Sequence, residues 1–449
     1  MDIYLFSLVL IGFMALYLML GIYAARHVHT VQDYFLAGRK LGIPSVTLAL
    51  LATQIGGGML LGTAQEAYAT GLFGLMYNCG MVCGFLLLGL GVAGRLRALN
   101  VATTAELFET RYNSPLLKKC ASLLSVITLC GILVSQIVGF RALLIGLGVH
   151  HELIFLLFWF FVILHTMHGG LQSIITTDIY QVVFILIIFV SILFYCVQAE
   201  AIPLIEMLVT AQNTVFAHNS FSRAQVIPTF IMPALFSLIE QDLAQRFFAS
   251  RTRAVASISA LCAGIFLILF SLVPVYFGVK ARLLGLSIAQ GSSSLMPAIG
   301  VLTNDFVLIL ATCAVIAAIC STADALLCAI SSNLVQDFGT GEVGASEQLK
   351  ESKIVTGIVG IVALLASYVV PKNIIDILIA SYAVSVGCLF VPLFVSYYYS
   401  NVKRGAAYAG VIGGVISFIC SPWIHTAFPK ELVPLIVSGI SYLVAHLVF

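Results

Sequence analysis

The sequence predicts an all-α integral membrane protein, and three observations carry that prediction. Of 449 residues, 61% are hydrophobic and only 9% charged, with a mean hydropathy of +1.10; a soluble chain carries about 25% charged residues. Apolar stretches of roughly 20 residues, the length that crosses a bilayer, recur from end to end. The loops between them are short and carry a lopsided basic charge. Composition therefore disfavours a soluble enzyme, a nucleic-acid binder and a disordered scaffold. A net charge of +2 without a basic stripe implies no polyanionic partner. The eleven cysteines fall mostly inside apolar runs and no loop holds a C-x-x-C pair, so neither a disulfide framework nor a zinc site is expected.

Thirteen candidate spans lie near 3–25, 42–65, 70–93, 117–147, 152–168, 172–199, 225–246, 254–278, 303–336, 353–370, 374–400, 405–425 and 431–448. The first has an acidic start (Met1, Asp2) and its basic residues follow the span, so it reads as a retained helix rather than a signal peptide. With the N-terminus outside, the inner loops hold fifteen of the 21 Lys and Arg residues, among them Arg39, Lys40, Arg95, Arg97, Lys118, Lys119, Arg251 and Arg253. The outer loops hold Arg223, Lys280, Arg282, Lys372 and Lys430, and Arg141 falls inside a span. That bias places the N-terminus outside and the C-terminus inside a cell membrane. Residues 338–352 form the single hydrophilic linker. The chain reads as one domain: a leading helix and inner loop (1–41), five spans (42–200), five more (225–400) and two trailing helices (401–449).

Two spans break the rules for a membrane helix. Gly56, Gly57 and Gly58 stand mid-span in LALLATQIGGGMLLGTAQE, where each glycine costs up to about 1 kcal/mol of helix propensity. A break there frees the carbonyls of Ala52 to Ile55 at the negative end of a half-helix, which suits a hard cation; close helix crossing is the alternative use of such glycines. In the seventh span Pro228 and Pro233 disturb VIPTFIMPALFSLIEQDLAQR, with Glu240 and Asp242 close behind. A plain proline kink with the acids at the inner surface is the competing reading. Interruptions at matching places in two groups of five spans point to a carrier with inverted repeats and a site at mid-membrane.

The ninth span supplies hydroxyls. Ala318, Ser321 and Thr322 share one helix face, and Asp324 follows; an intramembrane acid suggests function by default. Two carbonyls near Gly56, with one carbonyl and two hydroxyls here, make a five-oxygen neutral set suited to a monovalent cation, since calcium and magnesium sites draw on carboxylates.

Several segments in order resemble the sodium:solute symporter family, the carriers of proline, sugars, sialate, pantothenate and choline. They are DYFLAGR (33–39), ATQIGGG (52–58), VAGRLR (92–97) with ELFETRY (106–112), GGLQSIITTDIYQ (169–181), QDLAQRFFAS (241–250) and AAICSTADALLCAISSNLVQDF (317–338). The resemblance implies ten core helices in two inverted sets of five, the first and sixth broken, with one helix before and two after. It places sodium on the carbonyls of Ala52, Ile55 and Ala318 and the hydroxyls of Ser321 and Thr322. Asp178 falls on the ion path, and Asp324 stands where members with a second sodium site carry serine. Matching pocket positions are Gln54, Gly57, Gly58, Met59, Tyr77, Gln136, Phe236 and Tyr382. Gln54 replaces the acid of proline carriers and the tryptophan of choline carriers; Trp159 and Trp423, the two tryptophans, are off the pocket.

The expected function is secondary active transport: sodium moves inward with a small organic solute, the lipid bilayer and these two ligands being the partners. The protein is expected to act as a monomer, with no nucleic-acid partner and no cofactor beyond sodium as coupling ion. An amino-acid-like solute of the proline type is favoured, because an amide beside three glycines suits a small zwitterion. Sugar acids, pantothenate-like acids and quaternary amines are the alternatives. A membrane solute sensor is the alternative class, although no signalling segment follows the spans. An intramembrane enzyme is not expected, since neither H-E-x-x-H nor a nucleophile with a recognisable base is present. Arg141 is either an anchor for a solute carboxylate or a structural pair near the interface. His165, His168 and Asp376 read as structural or interfacial.

Overall fold

The computed structural model describes the chain except residues 1–2, 27–29, 150, 200–202, 217–222, 290, 340–344, 371–372, 401, 424–427 and 449. Met1, Asp2, Lys372 and the centre of the 338–352 linker thus lie outside the described residues. The principal helices are α1 (Ile3–Ala25), α2 (Ile43–Gln54), α3 (Thr63–Thr70), α4 (Met76–Leu87), α5 (Pro115–Gly146), α6 (Glu152–Gln198) and α7 (Arg223–Phe236). They continue with α8 (Gln241–Ala249), α9 (Arg253–Leu283), α10 (Asp305–Phe338), α11 (Ala345–Ala366), α12 (Ile374–Tyr398), α13 (Arg404–Cys420) and α14 (Val433–Val448). Among the described residues the lone β-type pairing is a bridge between Leu41 and Ser250. In lipid, a helix satisfies its own backbone groups within the segment.

Capping residues set several starts. Ser114 accepts the N–H of Leu117 at 3.3 Å ahead of Pro115, Thr252 that of Val255 at 3.2 Å, and Asn304 that of Val307 at 3.0 Å. Each side chain answers one of the N–H groups a helix start leaves unpaired.

Among the described residues, eight helical stretches are long and apolar enough to cross a membrane, and Leu8–Ala24, Ile43–Gln54 and Arg404–Cys420 are shorter apolar helices. The thirteen hydropathy spans do not map one to one onto these. Glu152–Gln198, 47 residues long, takes in two of them. Straight, it would reach roughly 70 Å, more than twice a hydrocarbon core of about 30 Å. It is not straight: Gly170 (φ +54, ψ −166) divides it into two arms. Gly71 (φ +69) likewise marks a corner within the stretch Gly58–Leu99.

Helix α10 is the axle of the bundle. Residues 311–333 of it are buried, and it packs against α1, α2, α5, α6 and α11. Helix α12 packs on α5, α7, α13 and α14. Lipid-facing leucine, isoleucine and phenylalanine, such as Leu90, Leu157 and Ile187, are exposed around the outside, as expected where the solvent is hydrocarbon.

Gly170 also carries Tyr34 against it: a Cβ there would stand 2.5 Å from the Tyr34 ring. That backbone region is open essentially to glycine alone and costs other residues about 1–3 kcal/mol. Gly170→Ala is therefore expected to lower thermal stability by at least that amount, measured as the melting temperature in detergent.

Candidate ion and solute site at the two helix breaks

The glycine run breaks the helix where the sequence places it. Helix α2 ends at Gln54, Ile55 leaves helical geometry (φ −79, ψ 72), and helix resumes as a π-type turn at Gly58–Gly62. The freed carbonyls are met from α10. Ser321 Oγ donates to the Ala52 carbonyl at 2.8 Å and lies 3.0 Å from that of Ala318. Thr322 Oγ1 is 2.9 Å from the Thr53 carbonyl, 3.1 Å from that of Ala318 and 3.5 Å from that of Ala52. Ala52, Ala318, Ser321 and Thr322 thus form one buried cluster, and Ile55, wholly buried, lies at the break itself. The Thr53 carbonyl joins them, a member the sequence reading left out. Gly56 makes the approach possible: a Cβ there would fall 2.4 Å from Thr322 Oγ1 and 2.9 Å from Gln136 Oε1.

The second break is displaced from its expected place. Helix α7 runs through Pro228 and Pro233, and helical order stops only at Ser237–Glu240 before α8 begins. Ser237 Oγ donates to the Pro233 carbonyl at 2.7 Å, meeting an acceptor at the helix end. This shift carries Glu240 and Asp242 away from an inner-surface position and into the bundle, 7% and 1% exposed.

Between the breaks lies a cavity of about 20 Å³, room for a water molecule or two. Gln54, Gly58, Met59, Tyr77, Gln136 and Tyr382, all candidate solute positions, line it. Gly57 sits just behind, its N–H donating to Gln136 Oε1 at 2.8 Å. Phe236 stacks on Tyr382 with ring centroids 4.4 Å apart. Glu240 and Asp242 also line the wall; their place one residue to either side of the α8 start was the signal, hidden because the prolines marked the wrong break. On the side toward Thr70, Asn373 and Lys430 opens a much larger vestibule of about 1060 Å³. Tyr77 and Tyr382, whose hydroxyls are 2.8 Å apart, line the small cavity and not the vestibule, whereas their chain neighbours Met76, Ser381 and Ala383 line the vestibule.

The two candidate ion-path carboxylates have separate partners. Asp178 Oδ2 lies 3.2 Å from Arg246 Nη2, with both side chains fully buried. Asp324 accepts from Thr166 Oγ1 at 2.5 Å and from the Tyr17 hydroxyl, and faces His165 Nδ1 at 3.3 Å. Tyr17 comes from α1, so the leading helix is tied to α10 next to the hydroxyl cluster. Arg141 is no solute anchor. It pairs with Glu152 at 2.9 Å and lies over the rings of Phe155 and Tyr368 at 4.3 and 4.6 Å. His168 is exposed, and its Nδ1 lies 2.8 Å from the Leu164 carbonyl. Asp376 lines the vestibule. Among the described residues no cluster of His, Cys, Asp or Glu could hold a metal ion.

Two interrupted helices facing each other across a small polar cavity, inside an all-helical membrane bundle, define a membrane carrier. The chain belongs to the sodium:solute symporter family, whose model matches residues 34–414. It is similar to the osmoregulated proline transporter of Bacillus subtilis (strain 168), 24% identical over 92% of this chain and 87% of that one. It is also similar to the sodium/pantothenate symporter of Escherichia coli (strain K12), 25% identical over 91% and 88%. Its fold matches a solved sodium-coupled sialic acid symporter in a substrate-bound outward-open state, with a TM-score of 0.80 at 16% identity over 99% of this chain and 96% of that one. The protein is a sodium-coupled solute symporter, not an enzyme.

The closeness of Gly56 to two polar side chains sets a test. Gly56→Ala is expected to force Thr322 and Gln136 apart and raise the sodium concentration for half-maximal thermal stabilisation at least about tenfold, a loss on the order of 1.4 kcal/mol. Arg141→Gln, by contrast, is expected to leave solute affinity unchanged and to cost up to about 1 kcal/mol of stability, the scale of an exposed pair; solute titration and melting temperature check both.

Proposed function

We propose that this protein carries a small amino-acid-like solute into the cell by coupling it to inward sodium movement at the two helix breaks. The observation that carries the reading is the bonding of Ser321 and Thr322 to the broken end of α2, directly beside the cavity. With their hydroxyl hydrogens turned away, those side chains and the carbonyls of Ala52, Ile55 and Ala318 offer a neutral oxygen cage for one sodium ion. Gln54 and Gln136 supply amides for the solute, and Tyr77, Phe236 and Tyr382 cover it. Asp178 lies on the ion's way in; its Oδ1 has no hydrogen-bond partner. Asp324, which accepts one hydroxyl on each oxygen, keeps a lone pair on each for a second cation.

In this reading the chain crosses a cell membrane thirteen times, N-terminus outside and C-terminus inside, and works as a monomer. Two inverted five-helix sets rock about the site. The wide vestibule then faces out, because its rim carries the loops that the charge asymmetry places outside. Sodium draws α2 against α10 and completes the solute pocket, and rocking exposes both ligands to the inside. A 100 mV potential contributes about 2.3 kcal/mol per charge, and a tenfold sodium gradient about 1.4 kcal/mol. Together, roughly 3.7 kcal/mol supports about 500-fold accumulation of a neutral solute per sodium. The proline-type relative favours an amino-acid-like solute, and the carriers of pantothenate and sialate keep acids in the field.

Ser321→Ala and Thr322→Ala are each expected to raise the sodium concentration needed for half-maximal uptake into proteoliposomes by about tenfold or more, with the maximal rate less affected. Unchanged sodium dependence in both variants would remove this site.

A further inference from the structure

Resting on the symporter reading above, we propose that Glu240 is the docking group for an ammonium on the solute, so that the cavity selects amine-bearing solutes over acids that lack an amine. Glu240 is the cap residue of α8, in extended geometry at the break (φ −64, ψ 128). It lines the cavity between the breaks and also the smaller one on its other side, beside Gln241 and Ser385. Its carboxyl therefore stands at the floor of the solute pocket rather than in packed apolar surroundings. It reaches the Gln54 amide and the Asp242 carboxyl. Asp242 has its own partner, the N–H of Leu243 at 2.9 Å, and is part of the α8 start. Two buried carboxyls in contact hold a proton between them unless a cation neutralises the pair, and neither Gln54 nor Asp242 supplies a positive charge, so an arriving ammonium takes that proton's place.

Three further observations point to the sign of the solute. No Lys, Arg or His lines the cavity among the described residues. The nearest guanidinium, Arg246, is spent on Asp178 and on the carbonyls of Ala49 and Asp242; Arg141 is held by Glu152. A solute carboxylate thus finds no cationic side chain, whereas an ammonium finds Glu240. Above Glu240 the rings of Phe236 and Tyr382 stack, and Tyr77 lies nearly parallel to Tyr382 at 6.4 Å and 12°. Aromatic faces within about 6 Å attract an organic cation. The way in has the same sign: Glu66, Asp376 and Glu431 line the vestibule, against Lys430 alone, and such a field raises the local concentration of cations. The cavity's small volume means that Tyr77 and Tyr382 must part to admit the amine, and their closure over it then buries the charge pair away from water.

The test is thermal unfolding of the purified full-length protein in sodium and in potassium, with proline, choline and pantothenate as probes. In sodium, an amine-bearing probe, proline or choline, is expected to raise the melting temperature, and pantothenate is not. Glu240→Gln is expected to bind that amine about ten- to hundredfold more weakly, while sodium alone still stabilises the variant and so shows that it is folded. Glu240→Asp, which keeps the carboxylate on a shorter arm, is expected to fall between. A larger shift from pantothenate than from either amine, no shift from both amines, or unchanged amine affinity in Glu240→Gln overturns the proposal while leaving sodium coupling intact. If sodium alone does not move the wild-type melting temperature, the coupling reading fails and the proposal falls with it.

Discussion

The structure depends on one bonding debt at mid-membrane. A helix broken inside a bilayer leaves carbonyls that lipid cannot answer, and here the answer comes from a neighbour: Ser321 and Thr322 of α10 meet Ala52 and Thr53 of α2. That contact explains why three glycines are tolerated in the break after α2 and why α10 is buried over most of its length. It also explains why two serine and threonine hydroxyls, which in most helices bond only to their own preceding turn, here also bond across to another chain segment. The same oxygens that stabilise the break are of the kind that a lone alkali ion accepts.

Much of this was legible in the sequence, for a physical reason. Three glycines in an apolar run have no packing use that requires all three, so the break could be placed within a residue or two. Hydroxyls at i and i+1 facing one carbonyl turn could be read from helix geometry. The second break was misread because proline was taken as the stronger signal. A proline removes one N–H and kinks a helix, yet α7 runs through two of them, and order ends at Ser237–Glu240, where no glycine or proline stands. The competing reading, which put Glu240 and Asp242 at the inner surface, is the one their burial overturns. The partners of Asp324 were illegible as well, because they depend on contacts across many residues: Tyr17 lies 307 positions away and Thr166 lies 158 away. Hydropathy had already separated 152–168 from 172–199, on either side of the corner that Gly170 makes between two arms.

The buried charges form a second pattern. Asp178, Glu240, Asp242 and Asp324 are all within the bundle and no more than 7% exposed, and Arg246 is the one fully buried guanidinium among the described residues. A low-dielectric interior with more carboxyls than bases favours the arrival of positive charge, whether carried by an ion, a proton or a solute. Arg246 is placed to prevent collapse of that arrangement: it bridges Asp178 on α6 and the carbonyls of Ala49 on α2 and Asp242 on α8. Three segments that must keep register around the site are thus held by one planar side chain, which can serve several acceptors at once.

The mismatch between the vestibule and the inner cavity has a pharmacological consequence. A space of about 1060 Å³ stands in front of one of about 20 Å³, with two tyrosines between. A molecule with a small recognisable head and a bulky tail would seat its head against the tyrosines and leave its tail in the mouth, too large for the aromatic pair to close behind it. Such a compound would be held but never swallowed, a cork rather than a cargo.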